Sequence, residues 1–281
     1  MTATAALPPT HALAEARPAS QAYRSAFIAL LARDVIVVRK QWKSFIVRTL
    51  MQPLLLVFVF TYVFPKIGQG IGGTANADQF STLLVAGVLG LAIMFQGIQA
   101  VALPLVQEFG YSKEIEDRVL APLPVEMVAI QKIVSGVIQG LIAAVLVFPI
   151  AAIVPATPVH LHINWLLLLT VAPLAGWVAS ALGLALGTTF PPTQVPLLFS
   201  VIVMPLTFLG AVYFPWSHLE SIRWLQIITL LDPLVYMNEG FRASVTTTPH
   251  MSLWAVYGGM IFFATLFTVV GVRNFRGKVI S

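Results

Sequence analysis

The chain has 281 residues, of which 58% are hydrophobic and 10% charged, with a formal net charge of +5 and no cysteine. Its mean hydropathy is +0.89. Soluble domains are about 25% charged, so this chain lacks the polar residues needed to cover a water-facing surface. The absence of cysteine excludes disulfides, thiolate metal sites and a thiol nucleophile.

The N-terminal part divides into a tail and a basic segment. Residues 1–20 are rich in Ala, Pro and Thr and lack the basic start and apolar core of a signal peptide, so they are predicted to be disordered. In residues 21–44, Phe27, Leu30 and Leu31 recur at helical spacing beside basic residues, which predicts an amphipathic helix on a membrane surface. The alternative is a simple basic juxtamembrane segment. The polar and interfacial positions of this segment are Arg33, Arg39, Lys40, Trp42 and Lys43.

Long stretches without Asp, Glu, Lys or Arg predict the membrane crossings. The longest runs from Lys132 to Glu220, and a crossing needs roughly 20 apolar residues. The fold class is therefore an all-α membrane protein with six transmembrane helices in one domain, residues 45–272, followed by a tail, 273–281. The crossings are predicted at 45–64, 81–106, 131–153, 164–188, 195–213 and 252–272.

The distribution of basic residues predicts the orientation. If the N-terminus is cytoplasmic, thirteen of the sixteen Lys and Arg residues lie on the cytoplasmic side, and only Lys66, Arg223 and Arg242 lie outside. Cytoplasmic loops carry the excess of Lys and Arg, so both termini are predicted to be cytoplasmic. This topology also accounts for the pI of about 9.7 without nucleic-acid binding.

Two connections carry most of the remaining information. The cytoplasmic loop 107–130 mixes acidic and basic residues. The external segment 214–250 contains an apolar run, WLQIITLLDPLVYM, that is broken at Asp232-Pro233 and is too short to span. It is predicted to form short helices that dip into, or lie on, the outer face. Glu239 and Arg242 can pair there, and surface ion pairs are usually weak.

Common catalytic motifs are absent. There is no G-x-x-x-x-G-K-[ST] phosphate loop, no H-E-x-x-H pair and no G-x-S-x-G elbow. His160 and His162 share a short external loop with no acidic residue, so no metal site is predicted. The membrane interior lacks the paired acids or buried basic residues expected of an ion-coupled transporter. Five neutral glutamines either join helices by hydrogen bonds, the favoured reading, or line a path: Gln52, Gln96, Gln99, Gln139 and Gln194.

The cytoplasmic loop has an acid and a glycine (Glu108, Gly110), then a charged helix, then a Leu-Ala-Pro-Leu-Pro step before the third crossing. In this order of features it resembles the loop of the type-2 ABC exporter permeases. The resemblance implies a helix that couples the permease to an ATPase, with charged residues for contact and prolines as a rigid link. The alternative is a solvated charged loop. The implied coupling residues are Glu108, Lys113, Glu114, Glu116, Asp117, Arg118, Pro122 and Pro124.

The external segment resembles the same family. Gly210 to Pro215 is similar to its G-x-x-[FY]-P element, and the stretch from Asp232 to Arg242 is similar to a later element that more often has Asn before the proline. The resemblance implies either an external gate or packing alone, with neither favoured. The residues concerned are Phe214, Pro215, Asp232, Pro233, Glu239 and Arg242.

The resemblance covers essentially the whole chain and implies a transport subunit rather than an enzyme. Such a subunit has no cofactor of its own; ATP and Mg²⁺ bind to a separate ATP-binding cassette subunit, present in two copies. The permease is expected as a homodimer, or paired with a similar permease, in a bacterial cytoplasmic membrane, contacting lipid and no nucleic acid. The implied substrate is a drug, lipid or glycolipid. The alternatives are a polysaccharide exporter of the same family, a membrane-embedded lipid-modifying enzyme and a non-transporting scaffold.

Overall fold

The computed structural model describes residues 19–67, 77–112, 123–191, 193–194, 197 and 199–280, and these ranges contain helices but no β-strand. Wider π-helical turns extend α2 (Phe58–Val63), follow α3 (Glu108–Ser112) and precede α6 (Phe199–Val203), and a short 3-10 helix, Trp216–Ile222, precedes α7. The α-helices are α1 (Ala19–Lys40), α2 (Trp42–Val57), α3 (Ala77–Gln107), α4 (Val125–Ile153), α5 (Trp165–Thr189), α6 (Met204–Leu209), α7 (Arg223–Thr229), α8 (Pro233–Val245) and α9 (Leu253–Ile280), and a three-residue helical turn, Phe64–Lys66, follows the π-helical turn after α2.

Among the described residues, five helices are long and apolar enough to cross a membrane. They correspond to the predicted first, second, third, fourth and sixth crossings, and are Trp42–Lys66, Asp78–Gly110, Val125–Ala151, Trp165–Thr189 and Leu253–Val279. The predicted crossing at 195–213 is not among them; three of its residues lie outside the described part of the chain. Its described part includes the π-helical turn before α6, α6 itself and the residues that follow α6.

The N-terminal basic segment lies on two helices rather than one. α1 ends at Lys40, Gln41 separates the helices, and Trp42 and Lys43 already belong to α2. At the other end of the chain, α9 continues to Ile280 through the predicted tail. The predicted bounds, 21–44 and 273–281, therefore differ from the helix ends.

α3 forms the centre of the bundle. In the 18-residue apolar stretch of α3, 83% is buried inside the structure, against 22% in the corresponding stretches of α2 and of α9. α3 and α5 approach backbone to backbone: a Cβ built at Gly183 would lie 2.7 Å from the carbonyl oxygen of Ile98. Small residues permit this close packing between membrane helices, so α3 and α5 act as a fixed core.

α5 and α9 run parallel. From one end to the other, Trp177 Nε1 donates to Thr268 Oγ1 at 3.0 Å, Asn274 Nδ2 to Thr189 Oγ1 at 2.9 Å, and Lys278 Nζ to the Phe190 carbonyl at 2.8 Å. Residue numbers rise together along both helices. The chain from 190 to 252 must therefore return from the end of α5 to the end where α9 begins.

The two ends of the bundle differ in charge. At one end, α3 finishes, α4 begins, and basic residues of α1, α4 and α9 lie close together; we call this the basic end. Here Arg276 of α9 pairs with Glu126 of α4 at 3.2 Å. At the opposite end, residues 210–252 form a layer of short segments, the outer cap, which packs on α3: a Cβ at Gly87 would collide with the Val212 carbonyl.

Candidate functional site

A polar cavity of about 750 Å³ opens at the basic end between α1, α2, α3 and α4. Beside it lies a smaller recess of about 20 Å³ between α2 and α3, and Arg48 and Gln99 border both spaces. Charged, amide and hydroxyl side chains dominate the lining although the helices are apolar overall. The polar lining residues of the main cavity are Arg33, Asp34, Gln41, Ser44, Arg48, Gln99, Gln107, Glu108, Lys132, Ser135 and Gln139.

Of the predicted intramembrane glutamines, Gln96 and Gln139 have the favoured helix-joining role. Thr49 Oγ1 donates to Gln96 Oε1 at 2.9 Å, and Gln96 Nε2 donates to Gln139 Oε1 at 3.4 Å, so a hydrogen-bonded chain joins α2, α3 and α4. Gln99 and Gln139 also line the cavity, and Gln52 lines the recess. The polar chain therefore ends at the cavity wall.

A buried ion pair joins the two flanks of the predicted coupling segment. Lys132 Nζ lies 2.5 Å from Glu108 Oε2, and both side chains are 5% exposed. The expectation that the membrane helices lack buried basic residues is therefore wrong at the basic end, because packing of α3 on α4 encloses both groups. No local pattern predicts a contact between residues 24 positions apart in the chain. The partner Lys132 is thus the residue that sequence reasoning missed.

Most of the predicted coupling residues lie outside the described residues: Lys113, Glu114, Glu116, Asp117, Arg118 and Pro122. The described members flank them. Glu108 begins the π-helical turn that follows α3, and Pro124 stands immediately before the first residue of α4 with φ −56° and ψ 141°. The extended conformation that proline favours here ends the connection and lets α4 start at Val125.

The predicted interfacial residues divide between the cavity and the surface. Arg33 lines the cavity. Arg39, Lys40 and Lys43 are exposed, and Trp42 is 54% exposed with the Lys43 ammonium 5.8 Å from its ring centroid. The opening of the cavity therefore lies beside a group of exposed positive charges.

The outer cap is built on a second buried ion pair. Arg242 Nη1 lies 2.5 Å from Glu239 Oε1, and the two side chains are 0% and 1% exposed. The pairing is as predicted, but the interpretation as a weak surface pair is wrong because residues 211–216 cover it. Arg242 Nη2 also donates to the carbonyls of Ala211, at 3.0 Å, and Phe214, at 3.4 Å.

The same carboxylate holds two further segments. The backbone N–H of Trp216 donates to Glu239 Oε1 at 2.8 Å, and that of Met251 donates to Glu239 Oε2 at 2.7 Å. Ala211 adopts a left-handed φ of 53°, which is rare for a residue with a Cβ. Pro215, the last residue before the 3-10 helix, directly precedes Trp216. One ion pair therefore ties α8 to both sides of the outer cap.

Asp232 is a buried carboxylate that has no ion pair among the described residues. Its Oδ1 accepts from the backbone N–H of Leu234 at 2.8 Å and caps α8, whose first residue is Pro233. Its Oδ2 has no hydrogen-bond partner among the described residues. Burial raises the pKa of Asp232 to about 8, and the Leu234 hydrogen bond only partly opposes this. The carboxyl group is therefore largely protonated at neutral pH.

Comparison with known proteins identifies similar chains. The family model of the ABC-2 type transporter matches residues 25–246. The inner membrane transport permease YadH of Escherichia coli strain K12 is 25% identical over 228 residues, which cover 80% of this chain and 86% of the relative. YadH proteins of Escherichia coli O157:H7 and Shigella flexneri match with the same identity and coverage.

Proposed function

Because the chain belongs to the ABC-2 type transporter family, we propose that it is the transmembrane permease subunit of an ATP-driven exporter in a bacterial cytoplasmic membrane. The substrate is amphipathic, in the class of drugs, lipids and glycolipids. A separate ATP-binding cassette subunit, in two copies, binds ATP and Mg²⁺ and supplies the energy. The permease itself moves the substrate and performs no chemistry on it.

The observation that carries this proposal is the polar cavity at the basic end. Its volume of about 750 Å³ falls in the range of drug-sized ligand sites, roughly 300–1,000 Å³. Ionisable groups are costly inside a membrane and commonly mark substrate or ion pathways there, and the described lining contains five of them. With the basic end cytoplasmic, as the distribution of Lys and Arg predicts, the cavity is the entrance for substrate from the inside.

The Glu108–Lys132 pair supplies the mechanical link to the ATPase. Both residues line the cavity, and they flank the predicted coupling segment on its two sides. A displacement of that segment by the ATP-binding subunit acts on the ends of α3 and α4 together. Because these ends are also the cavity wall, nucleotide binding changes the shape of the substrate site.

A second copy of the permease completes the pathway. Arg48 and Gln52 are exposed although they lie within the apolar helix α2. Facing lipid with these side chains would be costly, and a second copy across the cavity shields them from lipid. The chain therefore supplies half of a pore in a homodimer, or in a pair with a similar permease.

Six crossings, with both termini cytoplasmic, fit the parallel arrangement of α5 and α9. Two parallel spans need an intervening crossing, and the apolar stretch around α6 is the segment available for it. In this topology the outer cap lies on the external side. The cap, held by Glu239 and Arg242, closes the exit of the pathway until the α2 side of the bundle moves.

Charge reversal in the coupling segment tests the proposal. Glu116→Arg and Arg118→Glu, made in the full chain and expressed with its ATP-binding subunit, should abolish ATPase co-purification. Arg223→Glu is the matched control, because Arg223 is exposed at the opposite end of the bundle. If the ATPase still binds both reversed variants and transport continues unchanged, the coupling assignment is wrong.

A further inference from the structure

Arg48 occupies an unusual position in the bundle. It lies six residues into α2, about 9 Å along the helix axis from Trp42, and it borders both the polar cavity and the recess. The flanking residues Val47 and Met51 are 60% and 49% exposed and apolar. Arg48 therefore lies where the cavity meets the recess, beside exposed apolar side chains of α2.

Among the described residues, no acidic group around the cavity compensates the charge of Arg48. The described lining contains three cations and two acids. Glu108 is paired with Lys132 at 2.5 Å, and Asp34 Oδ2 accepts from Gln131 Nε2 at 2.8 Å. Within the described ranges Arg48 has neither an ion pair nor a hydrogen bond. A cation at this depth is costly, so a bound anion would stabilise the site.

Neutral donors and an apolar surface lie on either side of this cation. The amides of Gln52 and Gln99 line the recess with Arg48, and amide N–H groups can donate to an anionic oxygen. Beside Arg48, α2 presents the apolar side chains of Met51 and Leu55, which are 49% and 53% exposed. The site thus combines a cation that can bind an acidic head with an exposed apolar face along which a tail can lie.

We propose that Arg48 binds the anionic headgroup of an amphiphilic substrate (a phosphate, sulfate or carboxylate), with the glutamine amides donating to it and the tail lying along the exposed apolar surface of α2. The proposal rests on the exporter function above and narrows its substrate class. It predicts selection by headgroup charge. A guanidinium that only extends to the membrane interface to anchor α2 would not select in this way.

Binding to the purified full-length permease tests the proposal directly. The probes are fluorescent short-chain phosphatidylglycerol and phosphatidylcholine that share one label and one tail. Charge-assisted hydrogen bonds are worth enough that Arg48→Gln should weaken phosphatidylglycerol binding about 10- to 100-fold. Phosphatidylcholine binding should be unchanged, and Arg48→Lys should retain most of the affinity for the anionic probe.

Arg273→Gln is the matched control, because Arg273 is exposed on α9 and does not line the cavity. It should bind both probes as the wild type does. Equal affinity of the wild type for the two probes, or an unchanged phosphatidylglycerol affinity in Arg48→Gln, would overturn the headgroup site. If Arg48→Gln does not fold, the salt dependence of binding to the wild type tests the headgroup site. Added salt must weaken the binding of phosphatidylglycerol and must leave the binding of phosphatidylcholine unchanged.

Competition with inorganic phosphate tests whether the bound anion is the headgroup of an amphiphile or a free soluble anion. Inorganic phosphate should displace labelled phosphatidylglycerol far less effectively than an unlabelled short-chain phosphatidylglycerol does. If inorganic phosphate displaced the labelled probe as effectively as unlabelled phosphatidylglycerol does, the site would bind a soluble anion and the proposal of an amphiphilic substrate would be wrong. ATPase co-purification and ATP-driven transport of a neutral amphiphile report on the exporter function separately, so Arg48→Gln can refute the headgroup site while that function stands.

Discussion

Replacing Arg242 by methionine should destabilise the protein strongly, although the two side chains have similar length. The side chain is fully buried and makes three contacts: the Glu239 carboxylate and the carbonyls of Ala211 and Phe214. Methionine fills the space but supplies no donor. The substitution leaves a buried carboxylate without its cation, and one buried and one partly buried carbonyl without this donor.

The loss of stability in Arg242→Met depends on the hydrogen bonds that Glu239 keeps. Removing one partner of a buried ion pair costs about 3–5 kcal/mol. Glu239 keeps the backbone N–H groups of Trp216 and Met251, which stabilise its charge. We therefore expect a loss near the lower end of that range, about 3 kcal/mol in the free energy of unfolding. Glu239→Gln in the Arg242→Met background should recover part of it, because no unpaired charge is then buried.

Unfolding of the purified protein in detergent measures these free energies, and a double-mutant cycle isolates the pair. The coupling energy between positions 239 and 242 should be about 2 kcal/mol, within the range for contacting residues. Arg276→Met is the matched control, because its pair with Glu126 is 62% and 45% exposed and should be worth less than about 1 kcal/mol. If Arg242→Met costs no more than Arg276→Met, the buried-pair reasoning fails.

Three further predictions address other parts of the molecule. Because the pKa of Asp232 is raised to about 8 in the folded state, the wild type should lose stability as pH rises from about 5 to 8, and Asp232→Asn should remove this slope in thermal unfolding; an unchanged slope would refute it. Gly87→Ala should cost about 1–3 kcal/mol by collision with a carbonyl of the outer cap, whereas Gly258→Ala, with nothing within 4 Å, should not destabilise; equal melting temperatures would contradict this. Glu108→Gln and Lys132→Met should each lower substrate-stimulated ATPase activity, and a double variant that exchanges the two residues should restore part of it. If both single variants were stimulated as the wild type is, the ion pair would not link the coupling segment to the cavity.

The helical segments could be predicted because they depend on local composition. Runs without charge locate five spans, since an apolar helix of sufficient length is the structure that such runs form in a membrane. The break at Gln41 could not be predicted in the same way. Basic and apolar residues continue across it with little change, so α1 and the start of α2 read as one amphipathic segment.

The contacts within the candidate site depend on tertiary packing. Glu239 and Arg242 are three residues apart on one helix, so the sequence predicted that they can pair. Their burial follows from how residues 211–216 cross over α8, which no spacing in the sequence encodes. The same holds for Glu108 and Lys132, which meet only because α3 packs on α4.

The contrast between α2 and its neighbours determines which part of the bundle can move. α3 and α5 touch through their backbones at Gly183, so sliding one past the other requires a collision. α2 is far less enclosed, and its polar contact with α3 is the neutral hydrogen bond from Thr49 to Gln96. A water molecule or a substrate hydroxyl can replace that bond at little cost. Widening of the cavity should therefore be a tilt of α2 away from a stationary α3–α5 pair, and substrate that enters the gap would itself hold it open.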